Sequence, residues 1–259
     1  MKQAALCAMA LFLFCSTAFA GIPEKDDLLA GVQPGADGKI DVLTVFAHQD
    51  DESIYGGGTL VKMSKDPRVR IHIMCLTLGD QSEAKDKLGI TPEHLGRIRS
   101  AELVTAAQVY NAVEVIQLNY HDGHLSEADP EKLITDIKDV IDRTGAEVIF
   151  THDPLGITSH PDHIACSKAA TEAFRRSNAA LLYYPTLPPF LYHALIKLTP
   201  VKNYPPPALP TIKVDISKEK VLKRMAVYAH ASQKHFTSVG FDAEAILVLD
   251  HEYFARVTR

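Results

Sequence analysis

The sequence predicts a single-domain, Rossmann-like three-layer α/β/α fold with a mostly parallel sheet, and three observations carry that prediction. Strand-like and helix-like patterns alternate from residue 40 onward, the βαβ rhythm of a parallel sheet with helices on both faces. Two of the strand candidates, Val42 to Ala47 and Val148 to Phe150, are continuous apolar runs suited to burial on both sides. Each is followed by a polar cluster, His48-Gln49-Asp50-Asp51-Glu52 after the first and His160-Pro161-Asp162-His163 after the second. In open parallel sheets, ligands sit beyond the carboxyl ends of the strands.

Taken in order, Ile40 to Ala47 reads as a strand and Ile54 to Ser64 as a helix. Val69 to Thr77 is a strand, Pro92 to Tyr110 a long helix, Val113 to Leu118 a strand and Pro130 to Arg143 a helix. Glu147 to Thr151, Pro161 to Arg175 and Ala180 to Tyr184 supply a further strand, helix and strand. Pro185 to Pro210 holds Pro-Pro and Pro-Pro-Pro runs and is expected to be an irregular surface excursion rather than a linker. Beyond it, Thr211 to Val214 reads as a strand and Lys218 to Ser232 as a helix, while Ala245 to Val257 has strand character suited to closing the sheet edge. Gly56-Gly57-Gly58 lacks the G-x-G-x-x-G spacing of a phosphate loop, so close packing of the first helix against the sheet is expected there.

At 259 residues and 46% apolar content, the chain can bury one sizeable core. Its net charge of -5, with no Lys/Arg-rich run, argues against a nucleic-acid partner and for a small or neutral one. Lys2, the apolar run Ala4 to Phe14 and the small-x-small site Ala18-Phe19-Ala20 read as a signal peptide cleaved after Ala20. That reading implies a secreted or periplasmic protein with residues 21–259 as its one domain and no stable membrane span. Cys7 and Cys15 fall within the signal; Cys75 and Cys166 lie in apolar and helical patterns and read as small buried hydrophobes, and whether they pair is open. Oligomeric state is open as well.

The clusters have the residue types of a catalytic metal site, which typically uses three His or carboxylate ligands and leaves one position for water. His48 and Asp51, around a strand-to-helix turn, and His163, at the start of a later helix, make such a set. Asp50 is then a free carboxylate able to take and return a proton, the general acid/base role. His160 is placed to hydrogen-bond an oxyanion, and Asp162 to orient His160 or a ligand imidazole. His152 follows the fourth strand and can converge on the same region.

Ala47-His48-Gln49-Asp50-Asp51-Glu52 resembles the AHPDDE signature, and His160-Pro161-Asp162-His163 the HPDH signature, of the PIG-L/LmbE family of zinc-dependent N-acetylglucosaminyl de-N-acetylases. The resemblance continues in Arg99-Ser100-Ala101-Glu102, Asp122-Gly123 and His230-Ala231-Ser232-Gln233. It implies that His48, Asp51 and His163 bind Zn2+, with Fe2+ or another divalent ion as an alternative. It further implies Asp50 as base and then acid, His160 as oxyanion partner, and Arg99 and Asp122 as substrate-binding residues. The substrate class so implied is an N-acetylated small molecule or oligosaccharide. Gln49 stands where the family usually has proline. Read without the resemblance, Arg99 and Glu102 make an i,i+3 ion pair, Asp122-Gly123 an ordinary turn, and His121 and His124 loop histidines. His230 and Gln233 either line the site or cap a helix.

Two rival functions use the same residues. A His-x-Asp with a distant His also fits the triad of a non-haem Fe(II) oxygenase, which predicts an all-β barrel around the metal. A non-catalytic, metal-containing sugar-binding protein would have no need of an unliganded Asp50 beside the metal.

Overall fold

The first apolar run forms β1 (Ile40–Phe46), buried along its whole length. In a computed structural model of the chain, residues 22–25, 28–188, 208–233 and 249–258 are described. The expected signal segment, residues 189–207 of the Pro-rich excursion and residues 245–248 of the last strand pattern lie outside them.

β1 is the third strand of a seven-stranded sheet of order β3-β2-β1-β4-β5-β7-β6 and the middle one of its five parallel strands. β2 (Val69–Thr77) and β4 (Val148–Thr151) flank it in parallel, and β3 (Glu114–Tyr120) and β5 (Leu181–Thr186) extend the parallel run on either side. β7 (His251–Val257) runs antiparallel between β5 and β6 (Ile212–Asp215). The expectation that this last strand closes the sheet edge is therefore corrected: β6 is the edge, and β7 is paired on both sides. The parallel sheet removes the barrel that the oxygenase reading requires.

Successive residues of β1 feed opposite cores, which is why its sequence is continuously apolar. Ile40 and Val42 pack with Leu60 and Val61 of α1 (Asp51–Met63) and with Leu103, Ala106 and Ala107 of α3 (Pro92–Val109). Leu43 and Val45 pack on the other face with Leu133 and Ile137 of α4 (Pro130–Thr144) and with Ala170 and Phe174 of α6 (Pro161–Arg175). Cys75 and Cys166 are free thiols buried in the first and second of these cores respectively, so each fills space as a small hydrophobe.

Helix starts follow from their caps. Thr91 accepts the His94 N–H ahead of α3, and Asp129 accepts the Glu131 N–H ahead of α4, each followed by proline at the first helical position. α1 begins three residues earlier than the expected Ile54, because Asp51 and Glu52 suit the positive end of a helix. The stretch between β2 and α3 adds a short helix, α2 (Ala84–Leu88), and a one-turn α5 (Gly156–Ser159) precedes α6. The expected helix from Lys218 to Ser232 is shorter, α7 (Lys220–Ala229), and then tightens into a 3-10 turn at Ala231–Gln233.

The chain steps outward from β1 through β2 to β3, then crosses to the other side of β1 to form β4. That reversal opens a crevice at the carboxyl ends of β1 and β4, and the two polar clusters leave those two strands.

Candidate metal centre and catalytic site

The turn after β1 and the start of α6 bring His48, Asp51 and His163 together. His48 Nδ1 lies 3.0 Å from His163 Nε2 and 3.7 Å from Asp51 Oδ2, and His163 Nε2 lies 3.5 Å from Asp51 Oδ1. The outer nitrogen of each ring is occupied. His48 Nε2 donates to Asp122 Oδ1 at 3.0 Å, with Asp162 Oδ2 at 3.3 Å, and His163 Nδ1 donates to the Gly156 carbonyl at 3.0 Å. Those bonds place the lone pairs of both rings on the inner nitrogens, facing each other beside a carboxylate. Such convergence is unfavourable unless positive charge sits between the donors, and two imidazoles with one carboxylate suit a divalent cation of the zinc type. The same demand for positive charge shows in the His48 imidazole: burial presses its pKa down, but the bonds to Asp122 and Asp162 and the charge of Asp51 raise it to about 10.

Asp50 stands beside this set without belonging to it. Burial and the adjacent Asp51 charge push its carboxyl up to about 6 against the pull of Arg99, whose Nη2 is 3.6 Å away. His160 caps α6: its Nδ1 accepts the Asp162 N–H at 3.2 Å, so the proton of the neutral ring is on Nε2. Burial and the nearby His48 charge lower the His160 pKa, favouring that neutral form. Its ring packs edge-on to His48 with centroids 4.9 Å apart.

Asp162 is fully buried and takes the second of its two expected orienting roles. Its carboxylate accepts the N–H groups of Gly123 and Leu125 at 2.7 and 2.9 Å and reaches His48, so it orients a candidate ligand rather than the His160 ring. Asp122 is more than a turn residue, since it holds His48 and accepts the Gln81 N–H at 2.8 Å; despite burial, the bond from His48 keeps its carboxyl at about 2. Arg99 reaches the site but is only 4% exposed, and two of its N–H groups go to the carbonyls of Gly79 and Gln49 at 3.0 and 2.6 Å. The i,i+3 pairing of Arg99 with Glu102 is corrected: Glu102 instead accepts the Ser232 N–H and hydroxyl, both at 2.7 Å. His124 is exposed and paired with Glu127, as a loop histidine should be.

Several participants carried no assigned role in the sequence. His152 is fully buried, stacks on His163 with centroids 4.0 Å apart, and puts Nε2 3.3 Å from Asp51 Oδ2. Its place directly after β4 was the available signal. His230 is buried against Glu52 Oε1 at 3.2 Å, and Gln233 accepts from the Ser82 hydroxyl at 2.9 Å. The Gln49 side chain is buried and donates to the Thr77 carbonyl at 3.1 Å, away from the metal-ligand set.

The fold and the site define a mostly parallel α/β protein with a candidate His/Asp metal centre at the switch point of its sheet. Comparison with known proteins makes the assignment specific. Residues 43–174 match the family PIG-L, described as GlcNAc-PI de-N-acetylase, and the chain belongs to that family. It is 34% identical over 134 residues to a probable N-acetylglucosaminyl-phosphatidylinositol de-N-acetylase of Schizosaccharomyces pombe, covering 50% of each chain, so it spans about half the length of that relative. It is 30% identical over 194 residues to a probable N-acetyl-alpha-D-glucosaminyl L-malate deacetylase 2 of Bacillus anthracis, covering 74% of this chain and 80% of the relative. Among solved structures, N,N'-diacetylchitobiose deacetylase from Pyrococcus horikoshii superposes with a TM-score of 0.63 at 24% identity, covering 84% and 83% of the two chains, which establishes the shared fold.

Proposed function

We propose that the protein is a metal-dependent hydrolase that removes the acetyl group from an N-acetylglucosamine-type amide outside the cytoplasm. The observation that carries the reading is the separation of roles at one crevice: His48, Asp51 and His163 converge as a donor set, while Asp50 is left as a partly buried, unliganded carboxylate beside them. A non-catalytic sugar-binding site gains nothing from that carboxylate, whose burial is costly. The relatives named above share an N-acetylglucosamine-type unit in their names and differ in what is attached to it, which supports the acetamido sugar as the common element.

His48, Asp51 and His163 would hold the cation, with zinc the ion best matched to the donor set. A divalent ion there supplies Lewis-acid polarisation of the acetyl carbonyl and lowers the pKa of water. Asp50 then takes the proton of the attacking water; a carboxyl near 6 is better matched to that task than an ordinary aspartate. As the tetrahedral intermediate forms, His160 donates its Nε2–H to the developing oxyanion, the tautomer that its capping bond fixes. Asp50, now an acid, returns the proton to the departing amine nitrogen, so the products are acetate and a free amino sugar. Asp122 and Asp162 hold His48 by Nε2, so that Nδ1 faces His163 and Asp51, the set that would hold the cation.

The pattern over residues 1–20 supports an extracytoplasmic setting, and with it glycans, glycoconjugates or antibiotics as substrates. Fractionation of the host followed by N-terminal sequencing should find the protein outside the cytoplasm and beginning at Gly21; recovery in the cytoplasmic fraction alone would remove that setting. The reaction is tested by acetate release from a panel of N-acetylglucosamine conjugates, with zinc and with chelator. Zinc-dependent release from at least one conjugate is expected, and no release at full zinc occupancy would favour the binding-protein reading.

A further inference from the structure

The residue proposed as the base has a backbone that its own sequence does not favour. Asp50 has φ 105° and ψ -29°, a left-handed conformation that residues with a side chain rarely adopt. Such a conformation persists where the surroundings over-determine it.

The torsion depends on which way the Gln49–Asp50 peptide faces, and that peptide is gripped on both edges. Its carbonyl oxygen, on Gln49, accepts from Arg99 Nη2 at 2.6 Å. Its N–H, on Asp50, donates to Glu52 Oε2 at 3.2 Å. Turning the peptide over would carry Asp50 to an ordinary negative φ. It would also point the carbonyl oxygen at the Glu52 carboxylate and the N–H at the Arg99 guanidinium, so both attractions would become repulsions. The two side chains have opposite charge on opposite edges, and only one orientation of the peptide dipole satisfies both.

Both side chains are themselves held. Glu52 Oε1 accepts from the Ser53 hydroxyl at 2.7 Å and from His230 Nε2 at 3.2 Å, which leaves Oε2 for Asp50. The Ser53 hydroxyl also meets the buried Tyr110 hydroxyl. Arg99 is steadied by the Gly79 carbonyl, and Gly79, at φ +62°, has no room for a Cβ beside Gln49 and Arg99. His230 follows α7, so a residue far along the chain completes the support of the turn after β1.

We propose that Glu52, oriented by His230, and Arg99 form an electrostatic lock on the Gln49–Asp50 peptide, and that this lock aims the Asp50 carboxylate into the site. Glu52 and His230 are then positioning residues. The kinetic consequence rests on Asp50 being the base, as proposed above; the backbone consequence does not.

The test combines crystallography of Glu52→Ala with metal content and steady-state kinetics on an N-acetylglucosamine amide. The lock predicts a turned peptide with Asp50 at negative φ, kcat lower by about a hundredfold as for a misplacement of order 1 Å, and KM and metal content close to the parent values. His230→Gln, which keeps an N–H for Glu52, should retain kcat, whereas His230→Leu should lose about tenfold. Where Glu52→Ala does not fold, His230→Leu is read in its place by the same measurements. Parental kcat in Glu52→Ala overturns the proposal, as does an unturned peptide in a variant that has lost kcat, or metal lost in step with kcat. If the parent protein hydrolyses no N-acetylhexosamine amide, the functional reading fails alone, and φ of Asp50 in the variant still decides the lock.

Discussion

At the scale of single residues, the candidate centre is a matter of which nitrogen points where. His163 spends Nδ1 on the Gly156 carbonyl and offers only Nε2 to the donor set, so His163→Ala should lose bound metal, read by elemental analysis of purified protein, while the fold persists. His160 has its tautomer set by the Asp162 N–H, and among the described residues no carboxylate lies at hydrogen-bond distance from its ring. His160→Ala should therefore keep its metal and lower kcat by about a hundredfold to a thousandfold, the usual cost of one oxyanion donor; an unchanged kcat would remove it from the reaction. The two motif clusters were legible in the sequence because their members are close in the chain and both follow strands. His230 was legible as a member of a late motif but not as the partner of Glu52, because 178 positions separate the two. Arg99 was legible as a site residue but not as one that grips backbone carbonyls, which only its burial reveals.

At the scale of elements, α1 carries the site at one end and the tightest packing in the middle. A Cβ on Gly58 would lie 2.7 Å from Ile216 Cδ1, whereas Gly56 has open space. The glycine run was read as close packing of the helix, and the structure assigns that packing to Gly58 against Ile216, the residue that follows β6. Gly58→Ala should destabilise the protein by about 1–3 kcal/mol through overpacking, read by denaturant unfolding, while Gly56→Ala, where an added Cβ meets no atom within 4 Å, should be neutral or mildly stabilising. Most element boundaries were legible from prolines and polar caps. The start of α1 was not, because its first turn is built from the same acidic residues that read as a metal motif. The C-terminal strand was legible as a strand, but its place between β5 and β6 depends on long-range pairing that periodicity does not encode.

At the scale of the whole molecule, the C-terminal third holds the N-terminal third in place. Lys223 of α7 pairs with Glu252 of β7 at 2.7 Å, both fully or nearly buried, and Glu252 also accepts the N–H groups of Gly58 and Thr59 in α1 at 2.9 and 2.7 Å. Lys223→Met would leave that carboxylate buried without its cation, and breaking such a pair costs about 3–5 kcal/mol; a melting temperature within a degree or two of the parent would show that the pair carries no such load. None of this was visible in the sequence, where nothing local links Lys223 in a helix pattern to Glu252 in a strand pattern. All three scales meet in the proposed reaction, in which a sheet crevice, a helix start and one unliganded carboxylate would hydrolyse an acetamido sugar. The most direct test is acetate release by Asp50→Asn at the same zinc content as the parent. The account predicts retained metal and turnover lower by about a hundredfold to ten-thousandfold; parental acetate release from that variant would contradict it.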